Sequence, residues 1–429
     1  MDIDLHAHLY GYLTSSDVYE LGQSRWRKRM DRLSWYEREY MQAWGRQPQW
    51  QNYWLKSHEG LLKEDFLFTS PGSFSRFQSC FNLMIAVLPA VFDASAVARC
   101  VLERIEQEKY LSHVELRMPL PPGVSEQQAE SYLNDLLREF ARVVSQNFTP
   151  TLAISLPRDH RYLKKQYEWI KNWQKSADST LKKYLTGIDF CGAEEEWPPH
   201  EKKRFLDQVH KDNDDTQNAL AILYHVGETS LTLSPHSSVR RIAEASLIGV
   251  HRMGHATYLG LNPQSLPLKM LESYKEWRFH LLWLLKNQTL LMEHGYFFSR
   301  KDILKELHEI AYLPGFFEKV YDKKVKEDLN RFQNAVFSLI RKNQTVIETC
   351  LTSNMMLGGI ASLAHHPITR FIDEDVLLCL GSDDPGIFAT SFQEEKEKCL
   401  KAGIQNCDLL KLKDEAKKMK SSSLVGRFL

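Results

Sequence analysis

The chain has 429 residues, with 55 Lys and Arg against 55 Asp and Glu, so its formal charge at pH 7 is zero. That balance argues against a nucleic-acid coat or a polybasic membrane binder, both of which work through surplus positive charge. At 43% hydrophobic and 26% charged residues, the composition is that of a globular protein with a large core and excludes disorder as the main state. The longest apolar run, residues 83–92, is about half of a bilayer span and is interrupted by Pro89, so no membrane partner is expected. Met1-Asp2-Ile3-Asp4 is acidic where a signal peptide is basic, and the seven cysteines include no C-x-x-C pair. A reducing cytoplasm is the expected location.

Short apolar, β-branched runs occur in chain order at residues 3–9, 113–118, 151–156, 185–190, 219–225, 253–257, 345–349 and 376–380. Longer stretches with helical periodicity, such as 129–144 and 166–176, lie between them. Eight strand-then-helix units predict an α/β fold, a (β/α)8 TIM barrel, as one domain over residues 1–429. A plain barrel needs about 250 residues. The excess is expected as a helical insertion after strand 1, residues 12–110, and another after strand 6, residues 258–343. Both begin at strand C-terminal ends, the face where barrel enzymes carry their active sites. An open doubly wound sheet is the alternative fold, but no GxGxxG or GxxxxGKS turn follows any strand. Within the second insertion, residues 268–286 and 316–341 both read as apolar helices. More apolar helix than a barrel rim can cover predicts a lid or a homo-oligomer interface within 268–341.

Four clusters could carry chemistry. His6-Ala7-His8 places two imidazoles on one side of the first strand, able to share a metal ion or to be an ordinary histidine pair. His225-Val226-Gly227-Glu228 ends the fifth strand with a third imidazole and a carboxyl that Gly227 can turn over the barrel mouth. Gly254-His255 ends the sixth strand. Ser382-Asp383-Asp384-Pro385 follows the last strand, where adjacent acids either coordinate a cation or cap a helix that Pro385 opens.

In this order the motifs resemble the adenosine deaminase family of metal-dependent barrel hydrolases. His6-Ala7-His8-Leu9 with Gly11, Val114-Glu115-Leu116-Arg117, Gly187 through Gly192, His225 through Glu228, Gly254-His255, Cys350 through Asn354, His366-Pro367-Ile368 and Ser382 through Pro385 carry the likeness. The resemblance implies one Zn2+ per chain on His6, His8, His225 and Asp383, with a coordination position left for water. It further implies that His255 and Asp383 activate that water, that Glu228 protonates the purine N1, and that Asp384 and the Gly192 amide meet N7 and N3. The C-x-x-C of the other zinc deaminase class is absent.

The pattern breaks at Tyr10. Nucleoside deaminases of the family carry an acid there that binds the ribose 5′-hydroxyl. Tyrosine does not repel a 5′-phosphate, so the expected substrate is an adenine nucleotide, ATP or AMP, with adenosine as the alternative. Residues 25–56 hold eight Lys and Arg, among them Arg25, Arg32, Arg46 and Lys56. They are either phosphate grips or a solvated helical face. Enlarged deaminases of this type resemble effectors of CRISPR-associated and other antiphage systems, which act as oligomers. A catalytically silent barrel used for binding or assembly, or a deaminase of adenine in nucleic acid, are the competing readings. Intact Glu228, His255 and Asp384 argue against the first.

Overall fold

The computed structural model describes residues 1–23, 26–55, 59–88, 94–121, 123–194, 196–214, 217–229 and 233–427. In chain order the strands are β1 (Asp2–His8), β2 (Leu111–Pro119), β3 (Thr149–Ser155), β4 (Leu185–Asp189), β5 (Ala221–Val226), β6 (Arg252–His255), β7 (Lys269–Ser273), β8 (Phe316–Val320), β9 (Val346–Thr349) and β10 (Leu378–Leu380). Eight of them form one parallel sheet in the order β1-β2-β3-β4-β5-β6-β9-β10, while β7 and β8 make a separate antiparallel hairpin. The sheet closes on itself through Asp383, whose N–H donates to the His6 carbonyl and whose carbonyl accepts from the His8 N–H, each at 2.8 Å. This is a (β/α)8 barrel. Every residue of β1, β4, β5, β6, β9 and β10 is buried, as expected of a parallel sheet covered on both faces.

Helices start earlier than apolar periodicity alone places them, because capping residues set the boundary. Ser125 and Gln128 form a reciprocal capping box that opens helix Glu126–Val143. Asp159 accepts from the Arg161 N–H and opens helix His160–Ser176. Between β1 and β2 run helices Ser15–Gln23, Met30–Trp44, Glu59–Phe66, Phe74–Val87 and Ala94–Gln107.

The segment between β6 and β9 departs from expectation at two places. Residues 269–273 and 316–320, expected to open helices, instead pair as the hairpin, and the helices begin only at Tyr274 and Lys323. Five apolar-rich residues are too few to separate the two periodicities. The pairing resolves them: Met270, Glu272, Phe317 and Lys319 turn inward, while Leu271, Phe316 and Val320 stay exposed. Ser273 and Asp322 then cap the helices that follow.

A layer of buried charge fills the barrel below its C-terminal face. Arg252 reaches Glu348 at 2.6 Å and also Glu115. Arg117 reaches Glu348 at 2.5 Å and Asp189 at 3.3 Å. The C-terminal residues plug the other end: the Ser421 N–H and Oγ donate to Glu115 at 2.6 and 2.8 Å, and Arg252 donates to the Met419 carbonyl at 2.6 Å. No described helix is long and apolar enough to cross a membrane. Removing one member of a buried ion network leaves its partners uncompensated. Arg252→Met is therefore expected to cost about 3–5 kcal/mol, read as a lower denaturant midpoint; an unchanged midpoint would deny the layer a part in stability.

Candidate active site

The strand ends bring His6, His8, His225 and Asp383 together at the barrel mouth, all buried, with one possible donor atom from each within 4.8 Å of the others. Pleating sets His6 and His8 on one side of β1, and their ring centroids stand 5.7 Å apart. Glycine makes room beside them. A Cβ on Gly254 would stand 2.8 Å from His6 Cε1, and one on Gly11 would stand 1.9 Å from Asp384 Oδ1. Asp383 itself has φ 60°, and His255 and Ala256 have φ 69° and 47°. Three non-glycine residues are thus held in the left-handed region within this one site.

Carboxylates on the far side of two rings influence what they present to the centre. His6 Nδ1 lies 2.8 Å from Glu348 Oε2, and His225 Nδ1 lies 3.1 Å from Asp189 Oδ1. A proton on each Nδ1, bonded to Asp189 in His225 and facing Glu348 without hydrogen-bond alignment in His6, leaves both Nε2 atoms with lone pairs, and they face each other at 3.0 Å. Burial holds the His225 imidazole down to about 3, so it is neutral at neutral pH. Asp383 Oδ1 is 3.3 Å from His6 Nε2 and 3.0 Å from His8 Nδ1, yet both its oxygens are buried without hydrogen-bond alignment to any described group. Burial pulls His8 down, but Asp384 and Asp383 lift it well above the usual imidazole value. Three imidazole nitrogens and the Asp383 carboxylate thus converge on one point, and this donor set suits a divalent ion such as zinc.

The remaining residues singled out in the sequence surround this centre. His255 Nδ1 is 2.9 Å from the Asn354 side-chain carbonyl. Its Nε2 is buried without a hydrogen-bond partner, 3.8 Å from Glu228 Oε1. Burial pushes His255 down to about 4. Burial raises the Glu228 carboxyl well above the carboxylate range, and the charges of Asp383 and Glu194 add to the rise. Asp384 Oδ2 lies 3.2 Å from His8 Nδ1; burial lifts this acid to about 6, opposed by His8 and reinforced by Asp383. Gly192 turns with φ 81° and borders open space.

Tyr10 is engaged differently from a free substrate donor. Its hydroxyl is 2.7 Å from that of Tyr132, and burial raises the phenol to about 12. The basic segment behind it divides. Arg46 pairs with Asp65 at 2.7 Å, and Arg27 lies over the ring of its neighbour Trp26 at 5.2 Å. The positive charge of Arg32 acts on Tyr10. Arg25 and Lys56 lie outside the described residues.

Several residues at the site were given no role from the sequence. Glu348 and Asp189 orient two imidazoles, and Asn354 orients a third. Arg158 donates to the carbonyls of Cys191 at 3.1 Å, Phe190 at 3.1 Å and His225 at 2.7 Å, binding the ends of β4 and β5 together. Phe81, on helix Phe74–Val87, stands edge-on to His8 at 6.1 Å and to Tyr10 at 6.2 Å, bringing the first insertion to the mouth. Glu348 was detectable as a charge in mid-strand; Phe81 left no such trace.

Fold and site together define a (β/α)8 barrel protein with a buried three-histidine, one-aspartate donor set at its C-terminal face. Residues 321–424 match the adenosine deaminase family model. The adenosine deaminase of Plasmodium gallinaceum is 36% identical over 62 residues, 14% of this chain and 17% of that protein. That of Vibrio parahaemolyticus is 41% identical over 58 residues, again 14% and 17%. The alignments thus span about a sixth of these curated relatives. In fold, the chain is similar to adenine deaminase from Arthrobacter aurescens, with TM-score 0.60, 16% identity and coverage of 99% and 97% of the two chains. It is also similar to Arabidopsis ADAL complexed with IMP, with TM-score 0.58, 19% identity and coverage of 98% and 92%. An amidohydrolase from Burkholderia ambifaria with bound Zn gives TM-score 0.59, 13% identity and coverage of 97% and 85%. Over residues 321–424 the chain is similar to the adenosine deaminase family, and in overall fold it is similar to barrel deaminases.

Because Asp189 orients His225 from behind, Asp189→Asn is expected to weaken affinity for a divalent ion such as zinc about 10- to 100-fold, with His225→Ala lowering metal occupancy further. Calorimetric titration of the metal-stripped protein checks both; unaltered affinity in the two variants would remove His225 from the donor set.

Proposed function

We propose that the chain is a zinc-dependent hydrolase that replaces the 6-amino group of an adenine nucleoside or nucleotide with oxygen, releasing ammonia. The observation that carries this reading is the convergence of three imidazoles and Asp383 beside Glu228, a buried carboxyl raised well above the carboxylate range. His6, His8, His225 and Asp383 would hold one zinc ion per chain. The absence of lysine from β4 leaves no carboxylated bridge for a second metal, and the zinc of the similarly folded Burkholderia protein supports the choice of ion. When bound, zinc supplies Lewis acidity that brings the pKa of water towards neutrality.

The chain's own residues then divide the work. His255, neutral at pH 7 and with Nε2 unengaged, orients the attacking water and takes its proton together with Asp383. Glu228 donates to N1 of the purine, which lowers the cost of breaking the ring's aromaticity as C6 becomes tetrahedral. Asp384 hydrogen-bonds on the N7 side and the Gly192 amide on the N3 side. The proton collected from water leaves with the amino group as ammonia, and the second water proton is lost from the C6 hydroxyl as the C6=O bond forms, restoring the Glu228 carboxyl.

The substrate we favour carries a 5′-phosphate. Tyr10, with its hydroxyl satisfied by Tyr132, offers a neutral wall where a carboxylate would repel phosphate by about 1–4 kcal/mol at ~4 Å. The plant protein of similar fold binds IMP in one crystal structure and GMP in another, which supports a nucleotide. Ammonia release from adenosine, AMP, ADP and ATP in parallel should show higher kcat/KM for a phosphorylated substrate, and Tyr10→Asp should lower that preference. Glu228→Gln should reduce turnover by at least ~100-fold with zinc retained. Near wild-type turnover of Glu228→Gln would refute the mechanism, and a wild-type preference for adenosine would refute the phosphate.

The hairpin supports a homo-oligomer. Its outer face shows Leu271, Phe316 and Val320, with Leu268 and Tyr312 adjoining, all at least 46% exposed. Lys269 and Glu318 pair across that same face at 2.8 Å. A two-fold axis through it sets each of these charges against its opposite on a second copy, which makes the patch self-complementary. Light scattering at micromolar concentration should give a mass above 50 kDa that falls to the monomer in Leu271→Glu. A wild-type monomer would exclude this contact.

A further inference from the structure

The loop after β4 carries a carboxylate that neither binds the metal centre nor faces the purine in the mechanism above. Glu194 is 5% exposed. Its Oε2 accepts the Gly227 N–H at 2.9 Å and its Oε1 accepts the Glu228 N–H at 3.1 Å. The left-handed turn at Gly227, φ 68°, aims these two successive amides the same way. One carboxylate therefore grips at two points the peptide from which the Glu228 side chain projects. A side-chain amide cannot replace it without loss, since its single oxygen leaves the other N–H facing an NH2 group.

Glu194 is itself held from outside the barrel. The fully buried Arg241, on helix Pro235–Leu247, donates to the Glu194 carbonyl and reaches Glu276 Oε1 at 2.9 Å. The other oxygen of Glu276 takes Arg240 at 2.6 Å. Glu276 sits in the first turn of helix Tyr274–Lys286, directly after hairpin strand β7, with its backbone N–H capped by Ser273. A chain of buried polar contacts thus runs from the second insertion through Arg241 and Glu194 to the Glu228 peptide.

We propose that Glu194 is a positioning residue for Glu228, and that Glu276, acting through Arg241, sets the position of Glu194. The inference rests on the deaminase reading for the role of Glu228, but the grip on residues 227 and 228 stands independently of it. It gives the second insertion a part in turnover: its helix must be docked for the acid to be aimed.

The test is a double-mutant cycle on the zinc-loaded full chain, with Glu194→Gln, Glu228→Gln and the pair. Glu194→Gln should lower kcat by ~10- to 100-fold with KM within about two-fold, the signature of an interaction expressed in the transition state. In the Glu228→Gln background the same change should have no further effect. Glu276→Gln should reproduce a smaller loss of the same pattern. Amide hydrogen exchange at residues 227 and 228 should quicken in Glu194→Gln while the strands remain protected. Wild-type kcat in Glu194→Gln, losses that multiply in the double variant, or unaltered exchange at 227 and 228 would each overturn the proposal. Should Glu194→Gln fail to fold, Glu194→Asp, which keeps both oxygens but shortens the reach, takes its place with the same expected pattern. Full turnover of Glu228→Gln alone, with exchange at 227 and 228 still quickened by Glu194→Gln, would sink the deaminase chemistry and leave the positional grip standing.

Discussion

Two guanidinium groups inside the barrel govern what its mouth can do. The imidazoles of His6 and His225 present lone pairs to the centre only if Glu348 and Asp189 are ionised behind them, and an ionised carboxylate at full burial is prohibitively costly without a partner. Arg117 joins both acids, and Arg252 shares Glu348 and adds Glu115. The effect is visible in the acids: despite burial, Arg117 and Arg252 hold Glu348 well below its usual range, and His225 and Arg117 do the same for Asp189. The donor set is therefore the upper surface of a charge layer whose floor is Ser421 and the Met419 carbonyl. Stability and metal affinity share residues here, which couples folding to the site more tightly than a loop-borne centre would.

The barrel seam follows the same logic. The hydrogen bonds that join β1 to the last strand pass through the backbone of Asp383, between His6 and His8. Closing the barrel and assembling the donor set are one event. The left-handed backbone at Asp383, and again at His255 and Ala256, is of the kind that costs on the order of 1–3 kcal/mol per residue. It survives because the closed barrel over-determines it. Aspartate is among the residues that tolerate this conformation best.

Much of this was legible in the sequence, for reasons that can be named. Fully buried parallel strands read as short apolar runs, and eight of them gave the barrel with boundaries shifted by a few residues. His6, His8, His225, Glu228, His255 and Asp383 stood out because polar groups ending apolar runs need a reason. What did not show was of two kinds. The hairpin of β7 and β8 hid because five residues fit either periodicity, and only pairing across more than forty intervening residues chose between them. Arg158, Glu194 and Glu276 hid because each acts on backbone groups or on another side chain distant in sequence. Nothing near Glu194 in the chain announces that it grips Gly227 and Glu228. Tyr10 was read from what it replaces, which said nothing of Tyr132.

Asp383 and Glu228 show how one pocket pushes two carboxyls in opposite directions. Burial disfavours ionisation of both. Asp383 overcomes it because His6 and His8 face its oxygens, and it is held well below its ordinary value. Glu228 has His8 only as a weaker, opposing influence against burial, Asp383 and Glu194. The charge of Asp383 is thus one reason the Glu228 carboxyl is raised: the group that would hold the metal also raises the acid. The division depends on distance, since a Glu228 peptide displaced towards solvent would lose both its desolvation and its repulsion. The two-point grip of Glu194 opposes that displacement, and its own charge acts in the same direction. Geometry and protonation of the acid are in this way set by one side chain, at a point where the second insertion meets the barrel.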